Sequence, residues 1–236
     1  MIQLLLEVWQ KILKRMKIKK RAPLYSKGEE IFNMTSHIVG AGFGLVAMII
    51  MVIKCAASHD RIGVISSIIF GLSMILLYTI SSVYHGLRRG KGKRVLRIID
   101  HCTIFILIAG TYTPYITNMF MKYDKALGIR LMVFMWGAAI LGVILNAINL
   151  EKYKSLSMVC YLIMGWCGII KLPLLVNLLG KIGFTLLVLG GISYTIGAII
   201  YVIGKKKKMK YSHSIFHLFI VFGTIFQTFS IMFYVI

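Results

Sequence analysis

Residues 211–236 read YSHSIFHLFIVFGTIFQTFSIMFYVI, a stretch without a single Asp, Glu, Lys or Arg. A helix that crosses a bilayer needs about 20 mostly apolar residues, so this stretch predicts a membrane span over 213–235. His213 and His217 stand at its start, four residues apart. On a helix that spacing puts both rings one turn apart on one face, where two imidazoles can grip one metal ion.

Six further apolar runs precede it, predicting spans at 32–53, 62–85, 98–119, 130–150, 155–171 and 182–204. The fifth is short and runs into Lys171 and Pro173, and the apolar stretch 172–180 reads as interfacial. Composition agrees: of 236 residues 58% are hydrophobic and 15% charged, with a mean hydropathy of +0.84. A soluble domain carries about 25% charged residues, so an ordinary water-soluble enzyme and a disordered chain are both excluded. The net charge of +21 would point to nucleic acid in a soluble protein. Here the basic residues punctuate apolar runs, which implies contact with anionic lipid and no nucleic-acid partner. Cys55, Cys102, Cys160 and Cys167 show no CxxC spacing and read as small apolar residues.

The basic residues also orient the chain. With the N-terminus inside, 21 Lys and Arg fall on the cytoplasmic side and 7 on the other, in line with the positive-inside rule. The expected fold is therefore all-α and polytopic, with seven transmembrane helices, N-terminus cytoplasmic and C-terminus outside, in the plasma or inner membrane. Residues 1–24 form a separate element. Ile2, Leu5, Leu6, Trp9, Ile12, Leu13 and Met16 recur at helical spacing opposite Lys11, Lys14, Arg15 and Lys17, predicting an amphipathic helix on the inner leaflet, ended by Pro23. Residues 25–236 form the seven-helix domain. Gly183, Gly190, Gly197 and Gly204 recur every seven residues, a stripe for close helix packing, as are Gly40 and Gly44. Pro114 is expected to kink the third span.

Ionisable groups inside a membrane are costly, and each calls for a partner. Among the acids only Asp100 lies within a span; Glu30 sits at the lip of the first. The alternating topology brings His85 (end of span two), Asp100 and His101 (start of span three) and His213 with His217 (start of span seven) to one membrane depth. Ser81 lies one turn deeper than His85. Three imidazoles with an open fourth position make a catalytic zinc arrangement, in which bound water is acidified. Asp100 would then hold or deprotonate that water, or orient a ligand ring. A set of two histidines and Asp100 would instead favour iron. Asp100 and His101 point about 100° apart on one helix, and Asp100 is expected inward. His59, beside Asp60 in an outer loop, reads as solvated. Glu30, Asn33 and His37 share one face of the first span. They fit a polar ladder supporting the site from behind, and equally a helix cap with interhelical hydrogen bonds.

These motifs together, Glu30-x2-Asn33-x3-His37, Ser81-x2-Tyr84-His85, Asp100 ahead of Ala109-Gly-Thr-Tyr-Thr-Pro114, and His213-x3-His217, resemble the haemolysin III family. That family groups with the progestin and adipoQ receptors and the alkaline ceramidases. The resemblance covers residues 25–236 and implies seven helices, N-inside, with zinc held by His85, His213 and His217. It also implies that Ser81 and Asp100 complete the site, Asp100 through the zinc-bound water. One departure is Gln227, where relatives often carry a further histidine; it puts any fourth-ligand or proton-relay role there in doubt.

Three functions follow as expectations. The first is a zinc-dependent intramembrane amidohydrolase acting on a ceramide-like or fatty-acyl lipid, with Asp100 as base and Ser81 stabilising the oxyanion. The second is a pore-forming cytolysin, against which no secretion signal is visible. The third is a receptor-like regulator of membrane homeostasis whose zinc is structural. An open coordination position beside a cavity wide enough for an acyl chain separates the first from the third, and a wet pore favours the second.

Overall fold

The computed structural model describes residues 25–236, and the amphipathic helix expected over 1–24 lies outside them. All regular structure among the described residues is helical. Helix α1 spans Lys27–Ala57, α2 Arg61–Gly86, α3 Lys91–Tyr115, α4 Lys125–Trp166, α5 Leu172–Lys207 and α6 Ser212–Tyr234. A π-helical turn at Ile116–Phe120 and a short turn at Met121–Tyr123 follow α3, and a 3-10 turn at Cys167–Lys171 joins α4 to α5.

Five helical stretches are long and apolar enough to cross a membrane, one of them the 83 residues Lys125–Lys207. The burial pattern is that of a protein in lipid. Val39, Ile53, Val133, Leu141 and Ile163 point outward and exposed, while Asn33, Ser67, Asn146, Thr228 and Ser230 are buried. In lipid the outer face gains nothing by being polar, and interhelical hydrogen bonds hold the bundle together. Trp136 Nε1 donates to Thr113 Oγ1 at 3.2 Å and Trp166 Nε1 to Thr195 Oγ1 at 2.9 Å. The Tyr78 hydroxyl donates to Thr224 Oγ1 at 2.7 Å.

Local chemistry sets the helix ends. Ser26 and Glu29 form a reciprocal capping box at the start of α1. The loop expected at 151–154 is instead helical, and the chain breaks at Asn149 (φ −161°, ψ 87°). The Asn149 side chain accepts from Lys152 N–H at 3.1 Å, so an Asn restarts the helix where an extended loop was expected. The 172–180 stretch opens α5 and ends at Gly180, whose φ of 65° favours glycine. Helix α3 runs through Pro114 to Tyr115 and passes into the π-helical turn at Ile116.

Consecutive helices pack in chain order, and α6 closes the ring by packing on α5 and α1. The glycine stripe explains the tightest of these contacts. A Cβ at Gly204 would lie 2.1 Å from Ser212 Cβ, one at Gly190 2.7 Å from Gln227 Nε2, and one at Gly183 2.7 Å from Tyr234 Cγ. The stripe on α5 is thus the seat of α6. The starts of α1, α3 and α6 and the end of α2 share one end of the bundle, and the site lies there.

Candidate functional site

His85, in the last turn of α2, and His213 and His217, in the first turns of α6, are all buried. One ring nitrogen from each lies within 4.8 Å of one from each of the others. His213 Nε2 and His217 Nε2 are 3.0 Å apart. Two imidazoles sharing one zinc at about 2.0–2.1 Å in tetrahedral geometry would sit ~3.3 Å apart, so the pair is close to ligand spacing. Neutral imidazoles facing each other can satisfy only some of their nitrogens. His85 Nε2 and His213 Nδ1 are buried with no hydrogen-bond partner among the described residues. The donor set therefore fits a zinc ion. Asp100 lies outside this converging cluster.

The residues of the first span separate into individual roles. Glu30 Oε2 accepts from His85 Nδ1 at 2.7 Å, which puts the ring hydrogen on Nδ1 and leaves the Nε2 lone pair free to face the cluster. Asn33 Nδ2 lies 3.4 Å from the same Nδ1. His37 contacts His217 Nδ1 through its ring nitrogens, so it backs the second of the α6 pair as Glu30 backs His85. The cap of this helix is made by Ser26 and Glu29, while Glu30, Asn33 and His37 turn to the histidines.

Ser81 and Asp100 line one cavity with His37, His213 and His217. Its volume is about 350 Å³. The cavity continues away from these groups along apolar walls that include Leu107, Ile108, Phe120, Leu175 and Leu187. Ser81 Oγ is buried and faces the Asp100 carboxylate, without a hydrogen bond of ordinary geometry. Asp100 is more buried than its neighbour, as expected. His101 nevertheless lines the cavity too, with its Nδ1 on the Arg97 carbonyl at 2.9 Å. His59 is exposed.

Sequence reasoning missed three groups. Lys93 is buried and pairs with Glu30 Oε1 at 2.8 Å. Tyr25 stacks on His213, with ring centroids 4.8 Å apart and planes 8° apart, and Tyr201 packs on the same ring at 5.4 Å. Lys93 stood in a basic loop that the positive-inside count explained completely, which concealed it. Gln227 sits deeper in the cavity lining, accepting from the Tyr115 hydroxyl at 3.2 Å and donating to the Leu187 carbonyl at 3.0 Å. Its amide tethers α6 to α3 and α5.

Residues 25–228 match the family model described as Haemolysin-III related. The chain belongs to this family. It is 36% identical over 209 residues to Hemolysin-3 of Bacillus cereus, covering 88% of this chain and 92% of the relative. It is also 36% identical over 211 residues to the Hemolysin-3 homolog of Bacillus subtilis (strain 168), covering 89% and 96%. A more distant relative is the human Monocyte to macrophage differentiation factor, 26% identical over 170 residues, or 69% of this chain and 67% of the relative. Family membership and the five apolar helical stretches make this haemolysin III protein a multi-pass membrane protein. The matched range contains every residue of the histidine cluster and of its cavity-lining partners Ser81 and Asp100.

Proposed function

We propose that this haemolysin III protein is a zinc-dependent intramembrane hydrolase of lipid amides of ceramide-like type. The observation that carries the reading is the shared cavity, in which Asp100, Ser81 and the α6 histidines meet apolar walls able to hold an acyl chain. A structural metal site is closed, and catalytic sites keep a position open. At about 350 Å³ the cavity has room for roughly a dozen water-sized groups, on the scale of an acyl chain.

His85, His213 and His217 would hold the zinc. When bound, it supplies a Lewis acid that polarises a carbonyl and acidifies water. The Asp100 carboxylate takes the proton of the water that attacks the amide carbon. It then returns that proton to the nitrogen as the C–N bond breaks, giving a carboxylate and an amine. Ser81 Oγ, beside the Asp100 carboxylate, turns to donate to the developing oxyanion. The apolar walls keep bulk water from the acyl chain. Glu30 and His37 orient the ligand rings.

The proposed topology is seven crossings with the N-terminus and the site on the cytoplasmic side. Lys125–Lys207 is about four times the length that one crossing needs. The breaks at Asn149 and Gly180 and the turn at Cys167–Lys171 divide it into crossing-length arms at 125–148, 150–166 and 181–207. The skewed distribution of basic residues supports the orientation. The test is purified protein incubated with a lipid library and read by mass spectrometry. Loss of an amide lipid with gain of its fatty acid, dependent on Asp100, supports the reading. The name Hemolysin-3 carried by the Bacillus relatives supports a second reading, a cytolysin. Leakage of dye from vesicles that is unaffected by Asp100→Asn would favour it.

A further inference from the structure

Lys93 occupies an unusual position for a lysine near a membrane surface: it is 3% exposed, and all three of its ammonium hydrogens have acceptors. Nζ lies 2.8 Å from Glu30 Oε1, 3.2 Å from the His85 carbonyl and 3.1 Å from the Leu87 carbonyl. It also sits 5.1 Å from the Tyr84 ring centroid. An ammonium carries three donors and no acceptor, so this set exhausts it. Burying an ammonium is expensive unless it is fully paired, and a lysine needed only for topology would sit in water. The neighbouring Arg88, Arg89 and Lys91 are exposed.

The three acceptors belong to two different helices, and Lys93 itself belongs to a third. The Glu30 carboxylate lies in the first turn of α1, and the His85 and Leu87 carbonyls close α2, where the last carbonyls of a helix lack intrahelical donors. Lys93 is in the first turn of α3. The other oxygen of the same carboxylate takes His85 Nδ1 at 2.7 Å. A continuous chain of contacts thus runs from Lys93 through Glu30 to the imidazole, while the same ammonium holds the backbone of that histidine.

We infer that Lys93 is a positioning residue for the metal ligand His85. By aiming the carboxylate that accepts the Nδ1 hydrogen, it fixes the tautomer and the ring angle that present Nε2 to a zinc ion. The inference rests on the zinc reading above and adds a residue to it. Removing a group that orients a metal ligand costs about 10- to 100-fold in metal affinity, and Lys93 falls in that range through Glu30. Because the two act in series, their effects are not additive. A lysine that merely caps α2 would give an effect on zinc independent of Glu30.

The experiment is a zinc-affinity measurement by chelator competition on detergent-purified full-length protein, for wild type, Lys93→Met, Glu30→Gln and the double variant. Lys93→Gln runs in parallel; it keeps a donor for the α2 carbonyls but removes the charge, so it serves if Lys93→Met does not fold. The expected result is a loss of about 10- to 100-fold for each single variant, with the double variant no worse than Glu30→Gln alone. Folded Lys93→Met or Lys93→Gln binding zinc within twofold of wild type overturns the role of Lys93 and leaves the three-histidine site standing. A double variant whose loss is the product of the two single losses overturns the serial arrangement. Wild-type protein that takes up no zinc overturns the metal reading and this inference together.

Discussion

Replacing His85 by alanine removes one of the three converging nitrogens and leaves the α6 pair, 3.0 Å apart, in place. Structural zinc sites carry an apparent binding free energy of about 10–16 kcal/mol, which sets the scale for a protein zinc site. One ligand in three is a share of about 4 kcal/mol, or roughly a thousandfold in Kd. The variant also strands Glu30 Oε2, whose partner is His85 Nδ1, so the loss is not softened by a substitute donor. Asp100→Asn is close to isosteric, and Asp100 lies outside the ligand cluster. It is expected to keep zinc near one per chain while abolishing hydrolysis that needs proton transfer. His59→Ala, exposed and remote, is the control and keeps both. The assay is elemental zinc per folded chain, with folding checked by size-exclusion profile and thermal melt. Full zinc in His85→Ala together with lost zinc in Asp100→Asn would refute the reasoning, because the ligands would then be two histidines and a carboxylate.

Reporter fusions or cysteine labelling are expected to place the C-terminus outside and residues 86–97 inside; an inside C-terminus would break the seven-crossing reading. Ile108→Trp, on the apolar wall of the cavity, is expected to leave zinc content unchanged and to lower turnover of long-chain more than short-chain substrates, and equal rates across chain lengths would remove the cavity from the mechanism. Gly142→Val puts a Cβ 2.2 Å from Phe105 Cζ, whereas Gly137→Val meets nothing within 4 Å. Overpacking costs about 1–3 kcal/mol, so the first is expected to lower the melting temperature by several degrees and the second to leave it nearly unchanged; equal melting temperatures would show that α3 and α4 do not pack as described.

Much of the site could be read without a structure because its parts repeat local rules. The spacing of His213 and His217 puts them on one face of any helix, and the apolar runs around His85, Asp100 and the α6 pair are long enough to leave no alternative to helices. The stripe of glycines on α5 announced a close neighbour, and Ser212, Gln227 and Tyr234 of α6 are that neighbour. Where the reading went astray it was at chain reversals. Charge marked 151–154 as a loop, but a single Asn with a capping side chain restarts a helix in less space than a charged segment suggests.

The seven separate runs expected are six long helices among the described residues. The sequence alone therefore determined that the chain is helical and apolar enough to cross a membrane more than once, and that His213 and His217 share one helix face. These follow from helical periodicity and from the cost of charge in lipid, which act on every residue wherever the rest of the chain lies. The tertiary structure alone decided which groups touch. Glu30 and His85 are 55 residues apart, and His37 and His217 are 180 apart; no spacing rule joins them. Lys93 shows the difference most clearly. Its charge is identical in sequence to that of the solvated Lys91 two positions earlier, and only the approach of α1 to the end of α2 and the start of α3 turns one of the two into a buried clamp. Burial and partnership depend on the three-dimensional path of other helices, and that path is not written in the neighbourhood of the residue.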